Sequence, residues 1–290
     1  MKVGIIGVGF VGGATAKVLE NAHELYLYDK YKEPYNAKKN LEELAKNSEC
    51  AFICVPTPMQ KNKSIDYTNI HNSIIDLLDA ALKFQREPKD ILAIIRSTAV
   101  SGTTDNLSEK YPFRFAFNPE FLRENHAVED MGKTDKIIIG TESGEDAQKV
   151  MDIYKPIFPD AKYIVYNRKE AEMCKYGNNF VLAAQVAMYN ELKKICDAVG
   201  VDYNKIKDVI LLDPRAGRNA DVPGPDGDYG FGGKCLPKDL NALDHLAAEN
   251  GYEAHLLREI WRTNLKVRKS QDWLDIPGAT SQNNFDENKK

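Results

Sequence analysis

Eleven residues in the last quarter of the chain concentrate its chemistry. Tyr229-Gly-Phe-Gly-Gly-Lys-Cys235-Leu-Pro-Lys-Asp239 sets one thiol behind three glycines. Glycine gives the backbone freedom to wrap a ligand, and Pro237 pre-sets φ for the first turn of a helix running to about Asn250. Cys235 then sits just ahead of a helix N-terminus, between Lys234 and Lys238. The helix dipole and both cations favour the thiolate, so Cys235 is expected to be the most nucleophilic of the five cysteines. The plainer alternative is a small apolar side chain in a tight loop, although buried cysteines seldom come with this much glycine and lysine.

The second chemical segment is Gly7-Val-Gly-Phe10-Val11-Gly12, which follows a strand-like run and opens a helix over 11–21. An acid, Asp29, ends the next strand. In this setting Gly7 permits a tight turn, Gly9 lets backbone N–H groups approach a pyrophosphate, and Gly12 lets helix and strand pack closely. The helix N-terminus adds partial positive charge. Asp29 can accept from both ribose hydroxyls and would repel a 2′-phosphate, which favours NAD over NADP. Lys30 and Lys32 soften that preference. A thiol beside such a cofactor suits one chemistry in particular. It adds to an aldehyde, the adduct gives up a hydride, and water cleaves the resulting thioester.

Further candidates are ambiguous on spacing alone. Lys175 and Asn179 are i and i+4 on one helix face. They could stabilise a developing oxyanion, or be a solvated lysine beside a polar neighbour. Glu120 and Glu124 follow the strand-like run 113–117, where doubly wound sheets place ligands. They could serve as base and ribose contact, or be surface charges. Ser97 and Thr98 end another strand and could be ordinary helix caps. Cys50 and Cys54 lack a second Cys/His pair, so they read as strand residues and no metal site is expected.

Elements must hold these residues in place. Short apolar runs at 2–6, 25–29, 51–55, 91–95, 113–117, 136–139 and 163–166 suit strands buried on both faces. Helix-period segments such as 67–84 and 145–158 lie between them. The alternation predicts an α/β fold, a Rossmann-like doubly wound parallel sheet over 1–166. After Tyr166 the pattern changes. Residues 169–200 hold no proline and an apolar stripe, which predicts a helix about 45 Å long. It opens an all-α central domain over 167–275, and the polar stretch 276–290 is expected to be disordered. With 39 Lys+Arg against 43 Asp+Glu there is no basic footprint for nucleic acid or an anionic membrane. No run reaches the roughly 18 apolar residues of a membrane span, and no signal-peptide pattern is evident. A cytoplasmic protein with reduced thiols is expected.

Together these segments resemble the UDP-glucose/GDP-mannose dehydrogenases. The likeness runs from Met1 to about Trp273. It rests on Gly7–Gly12, Val55-Pro-Thr-Pro58, Ser97-Thr98, Asn118–Glu124, Lys175…Asn179, Asp213-Pro-Arg215 and Gly230–Asp239, in the family's order. The resemblance implies NAD-dependent four-electron oxidation of a nucleotide-sugar C6 alcohol, with UDP-glucose as the leading substrate and GDP-mannose as the alternative. It implies Cys235 as nucleophile, Lys175 as oxyanion stabiliser and Asn179 orienting sugar and water. Asp239 and Glu120 would assist hydrolysis, with Thr98 holding the water. Val55, Pro56, Thr57, Ser97, Glu124 and Lys238 match cofactor positions. Phe121, Leu122, Arg123, Phe231 and Gly232 match positions around the substrate. Arg215 resembles an arginine that crosses a dimer interface, and the long helix would be the core of a homodimer. The family usually carries a further nucleotide-binding-like domain after the central helices, which these 290 residues do not include. The loop between Arg215 and Cys235 looks longer than usual and adds Asp221, Asp226 and Asp228. Those acids would disfavour a nearby diphosphate unless they face solvent or bind a cation. Two competing readings stand beside this one: a β-hydroxyacid dehydrogenase transferring one hydride, and a non-catalytic NAD-binding homologue.

Overall fold

The continuous apolar runs become strands because a parallel sheet covered on both faces leaves no room for polar alternation. In the computed structural model, which describes residues 1–217 and 219–281, these strands are β1 (Lys2–Ile6), β2 (Glu24–Tyr28), β3 (Cys50–Ile53), β4 (Leu92–Ile95), β5 (Arg114–Phe117), β6 (Lys136–Gly140) and β7 (Lys162–Tyr166). They form one sheet in the order β2-β1-β3-β4-β5-β6-β7. Pairing is parallel except between β5 and β6, which meet antiparallel at Phe117 and Gly140. An apolar run carries no direction, so the sequence could not reveal that reversal.

Ten helices are described: α1 (Phe10–Leu19), α2 (Lys38–Asn47), α3 (Thr68–Lys83), α4 (Thr103–Lys110), α5 (Ala127–Gly132), α6 (Gly144–Tyr154), α7 (Arg168–Val199), α8 (Tyr203–Ile210), α9 (Leu236–Glu249) and α10 (His255–Val267). One sheet face packs Leu44, Ile70, Ile74 and Leu77 from α2 and α3. The other packs Leu19, Met131, Val150 and Tyr154 from α1, α5 and α6. None of the described helices is long and apolar enough to cross a membrane.

The chain divides into two units: residues 1–57 with 67–175, and residues 58–66 with 176 onward. The division falls within α7, nine residues past the predicted boundary at 166. The first turns of α7 are bound to the sheet unit: Ala171 lies in its core, and Arg168 pairs with Asp105 on α4 at 2.6 Å. In the second unit, α9 and α10 enclose a small core of Ala183, Ala187, Leu240, Leu257 and Ile260. Disorder from residue 276 was the expectation, yet 276–281 belong to the fold. Met59 N–H donates to Ala279 O at 3.0 Å, and Ser281 N–H donates to Met59 O at 2.8 Å. Residues 282–290 of that expected tail lie outside the described residues.

Candidate active site

The glycine loop of the sheet unit shows why each glycine is needed. Gly7 has φ +90°, and a Cβ there would lie 2.7 Å from Cys54 O. A Cβ on Gly12 would lie 1.9 Å from Gly7 O. Gly9, the N-cap of α1, has nothing within 4 Å of its would-be Cβ. Two glycines are thus imposed by the turn and its packing, while the third opens onto space into which the first N–H groups of α1 point. Asp29 closes the far side. Its Oδ2 accepts from Val8 N–H at 2.7 Å, and Oδ1 accepts from Tyr31 and Lys32 N–H at 2.9 and 3.0 Å. A carboxylate offers about four acceptor positions, so one remains on Oδ2 for a ribose hydroxyl. That is one fewer than the two expected. Lys32 Nζ donates to Val8 O at 2.9 Å and is held within the loop. These residues fit a dinucleotide.

Ser97 does not cap a helix. Its hydroxyl is buried within reach of Val55 O at 2.7 Å and Ile53 O at 3.1 Å, and so ties the end of β4 to the loop Val55-Pro56-Thr57. Thr98 is half-buried, as is Val55; Pro56 is exposed and Thr57 buried.

Beyond β5 the ambiguity over Lys175 and Glu120 resolves. Lys175 Nζ lies 2.8 Å from Glu120 Oε1, both side chains 5% exposed, and 5.7 Å above the Phe121 ring. Glu120 Oε2 accepts from Leu122 N–H at 2.6 Å. These are not solvated charges, since a pair this deep persists only because each charge is compensated by the other and by hydrogen bonds. Phe121 and Leu122 are half-buried, whereas Arg123 and Glu124 are exposed. Arg123 Nε and Nη2 donate to the two oxygens of Asp130 at 3.0 and 2.6 Å, and these bonds hold the Asp130 carboxyl down at about 2.

In the second unit Cys235 is the N-cap of α9, with Pro237 in the first turn. Burial pushes the Cys50 and Cys54 thiols up to about 12, which leaves both inert. Asp239, a turn beyond Cys235, is buried; its Oδ2 accepts from Asn179 Nδ2 at 2.6 Å and its Oδ1 from Lys238 Nζ. Lys238, matched to a cofactor position, therefore spends its ammonium on Asp239. Phe231, expected against substrate, is a core residue 4% exposed beside Trp261. Its backbone, like that of Gly232, still belongs to the cysteine loop. Arg215 is exposed and paired with Asp213.

Three side chains that sequence reasoning missed hold this loop. Asn190 Oδ1 accepts from Gly230 N–H at 2.9 Å. Asn264 Oδ1 accepts from Phe231 N–H at 2.7 Å, while its Nδ2 donates to Phe231 O at 3.0 Å. Asp272 Oδ2 accepts from Gly233 N–H at 3.0 Å. A Cβ on Gly230 would lie 2.2 Å from Asn264 Oδ1, and one on Gly232 would lie 2.1 Å from Arg268 Nη2. An asparagine in mid-helix, where it competes with the backbone, was the available signal. Of the loop acids, Asp221 and Asp226 are exposed to solvent, as the expectation allowed, and all three are partnered. Asp221 pairs with Lys207, Asp226 pairs with buried Arg268, and Asp228 accepts from the N–H groups of Tyr229, Lys269 and Ser270. Among the described residues no cluster of His, Cys, Asp and Glu could hold a metal ion.

Comparison with known proteins agrees with this layout. The family model described as UDP-glucose/GDP-mannose dehydrogenase family, NAD binding domain, matches residues 17–158, and that family's central-domain model matches residues 169–266. YtcA of Bacillus subtilis, provisionally named a UDP-glucose 6-dehydrogenase, is 32% identical over 95% of this chain and 71% of its own length. The UDP-glucose 6-dehydrogenase of Rickettsia bellii is 35% identical over 77% of this chain, which spans only 50% of that relative. Among solved structures, a UDP-glucose dehydrogenase from Pyrobaculum islandicum superposes with a TM-score of 0.78 at 26% identity, covering 91% of this chain and 68% of that one.

Proposed function

The chain belongs to the UDP-glucose/GDP-mannose dehydrogenase family, whose N-terminal domain binds NAD, and from that premise we propose that it oxidises the C6 alcohol of a nucleotide sugar to the carboxylate. UDP-glucose is the substrate proposed first, and GDP-mannose is the alternative. The observation that carries the reading is Cys235 at the N-cap of α9, one turn ahead of a buried Asp239 that is bonded to Asn179.

Such an oxidation removes two hydrides, and NAD held by Gly7, Gly9, Phe10, Val11, Gly12 and Asp29 supplies that acceptance when bound. The rest falls to the chain's own groups. Cys235 adds to the aldehyde carbon, the carbonyl π bond opening as the C–S bond forms and the thiol proton passing to the carbonyl oxygen. It retains the sugar first as thiohemiacetal and then, once the second hydride and the hydroxyl proton have gone, as thioester. Lys175 donates to the oxygen that gains negative charge, its ammonium kept by Glu120. Asn179 orients the hydrolytic water and Asp239 takes its proton, with Thr98 a further candidate for holding that water.

NADH per sugar is the test. Two per UDP-glucose or GDP-mannose supports the reading, and the panel selects between the sugars. One per substrate points to single-hydride β-hydroxyacid chemistry. None, with NAD bound, leaves a binding module.

A homodimer through α7 belongs to the same reading. Val181, Met188 and Ile195 recur every seven residues on α7, each more than half exposed, and Val199 extends the stripe.

A further inference from the structure

The glycines that free the cysteine loop also leave it nothing of its own to set its shape, so the shape must come from elsewhere. Gly230, Phe231 and Gly233 each donate their N–H to a different side chain: Asn190 on α7, Asn264 on α10, and Asp272 in the turn beyond α10. Asn264 grips Phe231 at both N–H and C=O, as a neighbouring strand would, and is 1% exposed. Asp272 is held in turn by Arg268, whose guanidinium also bonds Asp226 at 2.7 Å and Tyr229 O at 3.3 Å. The Phe231 ring is locked in the core beside Trp261. Phe231 lies four positions before Cys235, and Gly233 lies two before it.

We propose that Asn264 and Asp272 are positioning residues for the reactive thiol: by fixing Phe231 and Gly233 they hold Cys235 at the N-terminus of α9, where the helix favours its thiolate. The proposal rests on Cys235 being the nucleophile. It adds that the thiol's reactivity is set by two side chains outside the loop, acting through the backbone of Phe231 and Gly233. Orphan N–H groups at a helix start act over about one turn, so a loop that drifts loses both the dipole and the register of attack.

The readout is iodoacetamide alkylation of the whole protein as a function of pH, corrected by the Cys235→Ser background, which reports any contribution from half-buried Cys174. It needs neither sugar nor NAD, so it is independent of the substrate assignment. Asn264→Asp keeps the acceptor for Phe231 N–H but sets a second oxygen against Phe231 O. Asp272→Asn keeps an acceptor for Gly233 N–H and gives up the charge that Arg268 holds. The expected result is an alkylation midpoint that rises toward the roughly 8.5 of an ordinary thiol. NAD affinity should stay within twofold, and turnover should fall on the order of tenfold to a hundredfold. An unchanged midpoint in a folded variant of either kind overturns the proposal. So does failure of both variants to fold, which would make the two residues parts of the core and nothing more. If alkylation shifts as expected while no nucleotide sugar yields NADH, the proposed function fails and the positioning role stands.

Discussion

Glu172 on α7 closes the N-terminus of α4 from outside: its Oε1 accepts from both the N–H and the hydroxyl of Thr104, at 2.7 and 2.6 Å. Its Oε2 accepts from Gly102 N–H at 2.6 Å. One carboxylate thus caps a helix whose own N-cap is a glycine without a side chain to do so.

Burial raises the Glu172 carboxyl from 4.5 to about 7, despite those hydrogen bonds. The folded protein therefore holds a proton that the unfolded chain releases between pH 4.5 and 7. Stability falls as pH rises through that window, by about 3 kcal/mol in all. Glu172→Gln cannot ionise. Its melting temperature should vary less between pH 5 and 8 than that of the wild type, and identical slopes would count against the assignment.

The glycine loop separates binding from folding. Gly9→Ala meets nothing within 4 Å and should leave the melting temperature within a few degrees, yet weaken NAD by tenfold or more as measured by calorimetry. Gly12→Ala, 1.9 Å from Gly7 O, should fail in the opposite order and lose stability first.

Asp29→Ala removes the acceptor for three backbone N–H groups as well as for a ribose hydroxyl. NAD affinity should drop by about 1–3 kcal/mol. Unchanged affinity would mean that the ribose is held elsewhere.

Cys235→Ser should bind NAD normally and release no second NADH, with product analysis showing no carboxylate. Full four-electron turnover by this variant would remove the covalent mechanism.

Met188→Glu sets a charge in the middle of the exposed α7 stripe, at a residue 58% exposed. Sedimentation should show monomer at concentrations where the wild type dimerises. A wild type that is monomeric throughout would refute the dimer itself.

Much of this architecture is legible in the residues. Runs such as Ala51–Cys54 and Ile91–Ile95 are buried on both faces, as uninterrupted hydrophobicity requires. The long helix falls within a residue of its expected limits because no proline interrupts it. What stayed hidden depends on partners distant in sequence. Lys175 reads as even odds on spacing, because Glu120, its counter-charge, lies 55 residues away. The mid-helix asparagines Asn190 and Asn264 signal a buried polar demand without saying whose backbone makes it. Phe231 was expected near substrate on the family resemblance alone, and its ring packs in the core beside Trp261.

The last acceptor of the cysteine loop lies 39 residues downstream of the N–H it serves. On the proposed mechanism, the loop that carries the nucleophile therefore cannot take its final shape until the chain as far as Asp272 has folded back onto it. Before that closure Cys235 is, on this reading, one ordinary cysteine among five. The proposal thus makes maturation of the fold and arming of the nucleophile a single event.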